Sequence, residues 1–356
     1  MGEAMPNALR RALEGSARAV EKLSVEKKLI ISVIALLAVP VVVLGVLLIQ
    51  NVKSSAEADS LRGAREEVRR AELNIDKNAE ICSRAAQMII NNRSFLSFIS
   101  SDEDYGAEDL MRFRSDALAN IQSISSVNPD IYSIRLFLEN HKLFEMWGII
   151  YSESRILDED WRGDVIKANG MYLWRLDHAY KSMALLAAPN PPGDVVSLTL
   201  DIYYPDKRHQ GILEINMLSK TFFSDMYAGD ENSFLCLVEK NETLIYNKES
   251  GFISKHSLDI PELQKQMRAR TDGDEGDFSL KLGDMALNVS YTRIDALDSY
   301  LYRVSCDSAL VSRLDRLRNL ILVGIVVGIV LISGMVYLII STLMKKLKRI
   351  IGSMRR

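Results

Sequence analysis

Two stretches of the chain have no polar face. Residues 29–49 (LIISVIALLAVPVVVLGVLLI) and 320–340 (LILVGIVVGIVLISGMVYLII) contain no charged side chain. Each matches the ~20 residues that a helix needs to cross a bilayer core, so they predict transmembrane helices over 29–50 and 319–342. A cleaved signal is not expected, because its apolar region spans only ~7–15 residues and this run lies behind a 28-residue segment. Beyond the first run the period becomes seven. Leu61, Val68, Ile75, Cys82 and Ile89 recur, with Ala64, Ala71, Asn78, Ala85 and Asn92 three positions further on. That spacing predicts one long helix from about residue 56 to 98, the body of a 51–98 stalk. Its stripe can pack on the protein's own sheets or on the helix of a second copy, and both can hold at different heights.

Residues 108–127 suit a second helix, ended by Asn128-Pro129. The β-branched and aromatic run 131–138 then predicts a strand, with a hairpin turn at 139–142 and a returning strand at 143–147. A short helix is expected over 158–168, stopped at Asn169-Gly170. Strands follow at 171–176, 183–187, 195–202 and 211–217, then a helix over 218–226. A second, smaller round has a hairpin (233–239 with 243–246), a helix (261–270) and strands at 276–282, 285–292 and 299–304. A helix over 305–318 leads into the second span. The fold class is therefore α+β, in a membrane protein whose two spans flank one large outer part. Its divisions are a 1–28 N-terminal segment, the 51–98 stalk, domains over 99–228 and 229–304, a 305–318 connector and a 343–356 tail.

Charge orients this layout. Arg10, Arg11, Arg18, Lys22, Lys27 and Lys28 precede the first span, and Lys345, Lys346, Lys348, Arg349, Arg355 and Arg356 follow the second. By the positive-inside rule both termini are cytoplasmic and residues 51–318 are extracellular. Of the chain's 44 basic and 47 acidic residues, the N-terminal segment holds 6 and 4 and the tail holds 6 and none, which leaves the outer part at −11. That charge argues against nucleic acid as a partner. Three cysteines, Cys82, Cys236 and Cys306, make no disulfide framework; a Cys236–Cys306 bridge and free thiols both stay open. No His/Cys cluster suggests a metal, and no Gly-rich nucleotide loop, nucleophile elbow or HExxH occurs. No catalytic residue and no cofactor is assigned. His141, His178, His209 and His256 all lie in the outer part, so the chain as given is expected to lack kinase activity.

The segments NPDIYSIRLFLENHKLFE, EDWRGDVIKANGMYLW, GILEINMLSKTFFSDM and FLCLVEKNETLIY, with the spans around them, resemble a double Cache sensor. Such a sensor has two PAS-like antiparallel sheets carried on a long N-terminal helix, one membrane-distal and one membrane-proximal. Over about residues 20–356 the chain looks like the sensor half of a YesM-type sensor histidine kinase. In the tail, Leu343, Leu347, Ile350 and Met354 fall on one helix face, like the start of a HAMP linker, with Lys346 where that helix often carries proline. A basic membrane-surface anchor is the other reading of this tail. The resemblance implies a receptor truncated before its kinase domain. It would signal as a homodimer, and would reach a response regulator only through that absent domain.

In double Cache sensors the ligand pocket lies in the distal domain, between the sheet and the loop-helix region. The resemblance places Trp147, Trp161, Arg162, Tyr172, Trp174, Asp201 and Tyr203 there. Aromatic faces suit stacking on rings, and Arg162 and Asp201 can fix polar groups; core filling is the competing role for the tryptophans. Trp161, at a helix start, is the one expected to be most exposed. Amino-acid-binding members carry Arg-x-Trp-Tyr, where this chain has Glu159-Asp160-Trp161-Arg162. The expected partner is thus a small molecule, with carbohydrate preferred, or a solute-binding protein. Alternatives to the kinase sensor are a membrane-anchored binding module without output, and the sensor half of a chemotaxis or AraC-type regulator.

Overall fold

A computed structural model describes residues 25–354, apart from 102, 147, 183–192, 205–207, 229–230, 241–242, 284 and 307. Two units are compact: Leu61–Asp307, and the chain on either side of it. Helix α1 (Val25–Ile90) contributes to both. In the outer unit follow α2 (Arg93–Ile99), α3 (Ala107–Phe113) and, through a π-helical turn at Arg114–Leu118, α4 (Ala119–Val127). Strands β1 (Ile131–Leu138) and β2 (Ile150–Ser152), a 3-10 turn (Glu153–Ile156) and α5 (Asp160–Lys167) lead to β3 (Leu173–Ala179), β4 (Asp194–Tyr203) and β5 (His209–Leu218). Two single turns, α6 (Ser219–Phe222) and α7 (Ser224–Tyr227), connect to β6 (Ser233–Val238) and β7 (Leu244–Tyr246). Then come α8 (Gly251–His256), α9 (Ile260–Arg270), β8 (Glu275–Leu282), β9 (Met285–Ile294) and β10 (Ser299–Cys306). Helix α10 (Ser308–Met354) completes the described chain.

The first sheet has the order β2-β1-β5-β4-β3 and the second β7-β6-β10-β9-β8. Each strand of one sheet has its counterpart five strands later in the other, so the topology is an internal repeat. The correspondence breaks at one edge: β7 is antiparallel to β6, whereas β2 is parallel to β1. This corrects the expected hairpin. Residues 143–146 form no strand; Met146 makes a single bridge to Ile150, where the edge strand begins. The 218–226 helix is likewise two turns, broken at Phe223, and the strand expected at 183–187 lies outside the described residues.

Local signals explain several boundaries. Asn92 ends α1 and caps α2, its Oδ1 accepting from the Phe95 N–H at 3.0 Å. Asp259 caps α9 in the same way, accepting from Glu262 N–H at 3.2 Å, with Pro261 in the first turn. Asn169 and Gly170, both at positive φ, follow α5.

The heptad stripe of α1 is spent within the outer unit. Ala64, Val68, Ala71, Ile75, Ala79, Cys82, Ala85 and Ile89 are buried, while Leu61 is exposed. From Val68 onward they join one core with inward residues of both sheets, among them Leu136, Leu198, Ile215, Leu237 and Leu301. Burying each large apolar side chain contributes roughly 1.5–3 kcal/mol. Asn78, in the middle of the stripe, is buried and donates to the carbonyls of Thr221 and Phe222. Arg303 and Arg65 tie the second sheet to the same helix, pairing with Glu67 and Asp277 respectively.

Two helices, Lys27–Ile90 and Asp315–Lys346, are long and apolar enough to cross a membrane. Their apolar side chains, such as Leu36, Leu44, Leu331 and Met335, stand exposed, as lipid-facing residues would. They approach closely at Gly45, where an added Cβ would run into the Ile325 side chain. The cysteines are free; Cys236 pairs with Tyr302 across β6–β10, four residues from Cys306.

Candidate ligand-binding site

Alternation gives the first sheet two unlike faces. One face supplies Ile134, Leu136, Leu138, Val196, Leu198, Leu200, Leu213 and Ile215 to the core on α1. The opposite positions are Arg135, Ser197, Thr199, Asp201, Glu214 and Asn216. All six are buried. Buried charges of this kind require partners, and they form two linked networks.

The first network centres on His209. A register shift between Ile202 and Tyr203 sets His209 opposite Tyr203 at the start of β5. Its Nδ1 lies 2.5 Å from Asp201 Oδ1 and its Nε2 2.9 Å from Glu153 Oε2. Glu153 stands in the 3-10 turn after β2 and also accepts from Arg162 of α5 at 2.7 Å. Hydrogen bonds to Asp201 and then Glu153 push the His209 pKa up to about 10, so the ring is an imidazolium and both nitrogens donate. Burial alone would raise Glu153, but the bonds and charges of His209 and Arg162 outweigh it and hold the carboxyl below its usual range. Asp201 Oδ2 is buried and no donor meets it at hydrogen-bond geometry, although the nearby Tyr203 hydroxyl feels its charge.

The second network centres on Glu214. Its carboxylate takes Arg135 at 2.6 Å and Arg175 at 3.2 Å. Arg135 also donates to the Lys181 carbonyl at 2.8 Å and lies 4.8 Å from the Tyr180 ring centroid. The Arg175 guanidinium sits 4.3 Å from the Trp161 ring centroid. Trp161 Nε1 donates to Glu159 at 3.2 Å, and Glu159 pairs with Lys181. His178 Nε2 lies 2.7 Å from Ser197 Oγ, which donates to Asn216. Burial, and then the charge of Arg175, lower the His178 pKa to about 4. One sheet face thus holds a charged and a neutral histidine at the same pH. A small apolar cluster of Phe137, Tyr151, Ile156, Val165 and Ile212, with Trp161 and Leu173 against it, walls the side toward α5.

The residues expected at the site divide between the two faces. Trp161, Arg162, Asp201 and Tyr203 lie on the polar side. The Tyr203 hydroxyl reaches the Ile166 carbonyl at 3.4 Å, and burial, then Asp201, push its pKa up to about 12. Tyr172 and Trp174 point the other way, toward α1. Tyr172 Oη reaches the Ser83 carbonyl at 3.5 Å, and Trp174 packs on Phe222 at 5.6 Å between centroids. Trp147 lies outside the described residues. Trp161 is half-buried, between Phe137 and Arg175. Sequence reasoning missed Arg135, Glu153, Arg175, His178, His209 and Glu214. The available signal was a polar residue at every second position of β4 from Ser197 to Tyr203, and at Glu214 and Asn216 of β5. Among the described residues no group of His, Cys, Asp and Glu is arranged to hold a metal ion.

No family model matches the sequence, and no curated relative matches it. Solved structures do match. The ligand-binding domain of the Campylobacter jejuni chemoreceptor Tlp3, in complex with L-valine, is 14% identical with a TM-score of 0.50, covering 71% of this chain and 95% of that one. Its complex with 4-methylisoleucine gives the same identity and TM-score over 72% and 94%. An extracellular domain described as that of a histidine kinase, soHK1S-Z6, is 11% identical with a TM-score of 0.48, over 73% and 98%. The chain therefore shares its Cache-like fold with sensory ligand-binding domains.

Proposed function

We propose that this chain is the sensing half of a transmembrane receptor, and that the buried polar face of its first sheet holds a small molecule. The observation that carries the reading is Asp201 Oδ2, a buried carboxylate oxygen that no donor meets at hydrogen-bond geometry, with the Tyr203 hydroxyl close enough to feel its charge and cations beside it that already have their partners. Leaving such an oxygen unpaired costs about 1–3 kcal/mol, which a donor on a ligand offsets. The ligand class is a small molecule with an ammonium or hydroxyl group, which includes amino acids and the carbohydrates that the resemblance favours. Trp161, Arg162 and Tyr203 join Asp201 around it. L-Valine and 4-methylisoleucine occupy the named complexes of the Tlp3 ligand-binding domain.

The output we favour is a sensor histidine kinase acting as a homodimer, with both termini cytoplasmic. Its support is the uninterrupted helix α10, which runs past the apolar run to Met354. A chemoreceptor output would use the same helix. The test is thermal stabilisation of the full chain in detergent by a panel of amino acids and monosaccharides, with Asp201→Asn as control. The expected result is a saturable shift with one class that Asp201→Asn abolishes. A shift that survives Asp201→Asn sinks the site, and no shift with either class sinks the ligand assignment.

A further inference from the structure

We infer that the second sheet carries its own small-molecule site, for an anion bearing a carboxylate or phosphate group. The internal repeat locates it. In the first sheet the candidate site lies where the end of β4 meets the start of β5, on the face that carries α5. The matching place in the second sheet is where the end of β9 meets the start of β10, on the face that carries α9. A groove of about 390 Å³ lies there, lined by the cations Lys240, Arg268 and Arg293, the carboxylates Glu239 and Asp298, and Thr271, Tyr300 and Tyr302.

The two sites differ in charge. Asp201, at the end of β4, has as its counterpart Arg293, which pairs with Tyr300 at the end of β9. Three cations and two carboxylates line the groove, and Arg293 also meets Asp274 and Asp295 at 3.5 Å each. Asp298 already does what an anionic ligand would do. It takes Lys240 at 2.9 Å on one oxygen and Arg293 at 3.0 Å on the other. Its backbone is held left-handed at φ 47°, and Lys240, then Arg293, keep its carboxyl below the usual range. The cations are therefore arranged to grip a carboxylate from two sides. Lys240 and Arg268 are exposed, so an incoming anion can reach both from solvent. The floor is apolar and stiff. Tyr302 is fully buried, and its hydroxyl lies 2.8 Å from Thr271 Oγ1. Tyr300, beside it, offers a half-buried ring at 6.3 Å.

The experiment titrates the full chain in detergent, by calorimetry, with acetate, succinate, citrate and inorganic phosphate. Arg268→Gln and Asp298→Asn report on the groove, and Asp201→Asn reports on the first sheet. We expect saturable binding of at least one anion. Arg268→Gln weakens it about tenfold, the scale of one charge-assisted hydrogen bond. Asp298→Asn, which suits the left-handed position and releases both cations, tightens it. Asp201→Asn leaves it unchanged, so this site and the proposed first-sheet site fail separately. Absence of binding by all four anions up to about 10 mM, which is weaker than ~3 kcal/mol, overturns the inference. So does binding that Arg268→Gln leaves intact.

Discussion

Asp201 and His209 face each other across the β4–β5 hairpin at 2.5 Å, and the contact uses only one of the two carboxylate oxygens. The used oxygen is what keeps His209 charged, since its bond is the largest cause of the raised pKa. Asp201→Asn removes that charge while keeping the shape. We expect the His209 pKa to fall from about 10 toward the ordinary 6.5, leaving Glu153 as its remaining acid. A proton NMR titration of the imidazole ring reads this directly. An unmoved His209 would show that Glu153 alone sets the charge.

The two histidines also shape the pH dependence of stability, in opposite windows. His209 has its folded pKa raised to about 10. Its contribution is fully present below about pH 6.5 and is lost as pH climbs toward 10. His178 has its folded pKa lowered to about 4. Between about pH 6.5 and 4 the unfolded chain takes up a proton that the folded chain refuses, so stability falls as the solution is acidified. Together they predict a maximum near pH 6.5. Thermal unfolding of the full chain across pH 4–10 tests this. His178→Gln should flatten the acid limb and leave the alkaline limb, whereas His209→Gln should flatten the alkaline limb and, through Glu153, also touch the acid one; an alkaline limb that responds to His178→Gln or ignores His209→Gln would refute the assignment.

Arg135 and Glu214 form the most deeply buried ion pair described, with side chains 4% and 1% exposed. A pair at that depth adds little net stability but is costly to break, because one charge is left without its partner. Glu214→Gln strands Arg135 and Arg175 together and should destabilise by about 3–5 kcal/mol. Arg135→Met combined with Glu214→Leu should cost much less than the sum of the single changes. Chemical denaturation of the wild type, Arg135→Met, Glu214→Leu and the double variant closes the cycle, and simple additivity would mean that the two residues act independently.

The first strand of the sheet was legible from its β-branched and aromatic run, and β4 and β5 also alternate with period two. The meaning of that alternation was not legible. Arg135, Glu214 and Asp201 alternate with apolar residues as they would on a sheet with one face in water, yet both faces are covered. Only tertiary structure reveals the cover, which comes from the turn at Glu153 and from α5. The same limit explains His209. In sequence it closes a polar loop, and only the register shift at Tyr203 brings it to Asp201. The strand expected at 143–147 had a suitable composition, but the chain reverses before Ile150 and enters the sheet parallel to β1. Tyr172 and Trp174 have the aromatic character of a binding wall, and the parity of β3 turns them toward α1 instead.

That parity separates the tryptophans by experiment. Trp161 stacks on Arg175 and belongs to the polar face, whereas Trp174 packs on Phe222 beside the core. Trp174→Ala should lower stability by about 2–3 kcal/mol and leave ligand affinity unchanged once the variant is folded. Trp161→Ala should do the reverse, costing little stability and weakening the ligand found by thermal shift at least fivefold, or about 1 kcal/mol. Equal losses of affinity in both variants would mean that the ligand lies elsewhere.

Gly211 is the backbone position on which the His209 geometry depends. It has φ 147°, and a Cβ there would collide with the Phe137 carbonyl oxygen on the neighbouring strand. Both facts follow from its place opposite Leu138 on one side and Ile202 on the other, next to the register shift. Alanine cannot be accommodated by moving a side chain, since the obstacle is backbone. Gly211→Ala should therefore push β5 away from β1 and cost more than the ~1 kcal/mol of an ordinary glycine substitution. The displacement falls first on His209, two residues away. We expect its pKa to drop toward 6.5 even though Asp201 and Glu153 are intact. An NMR titration at a temperature where the variant is still folded tests this. A His209 that still titrates near 10 would show that the imidazolium is held by its carboxylates alone and not by the strand that carries it.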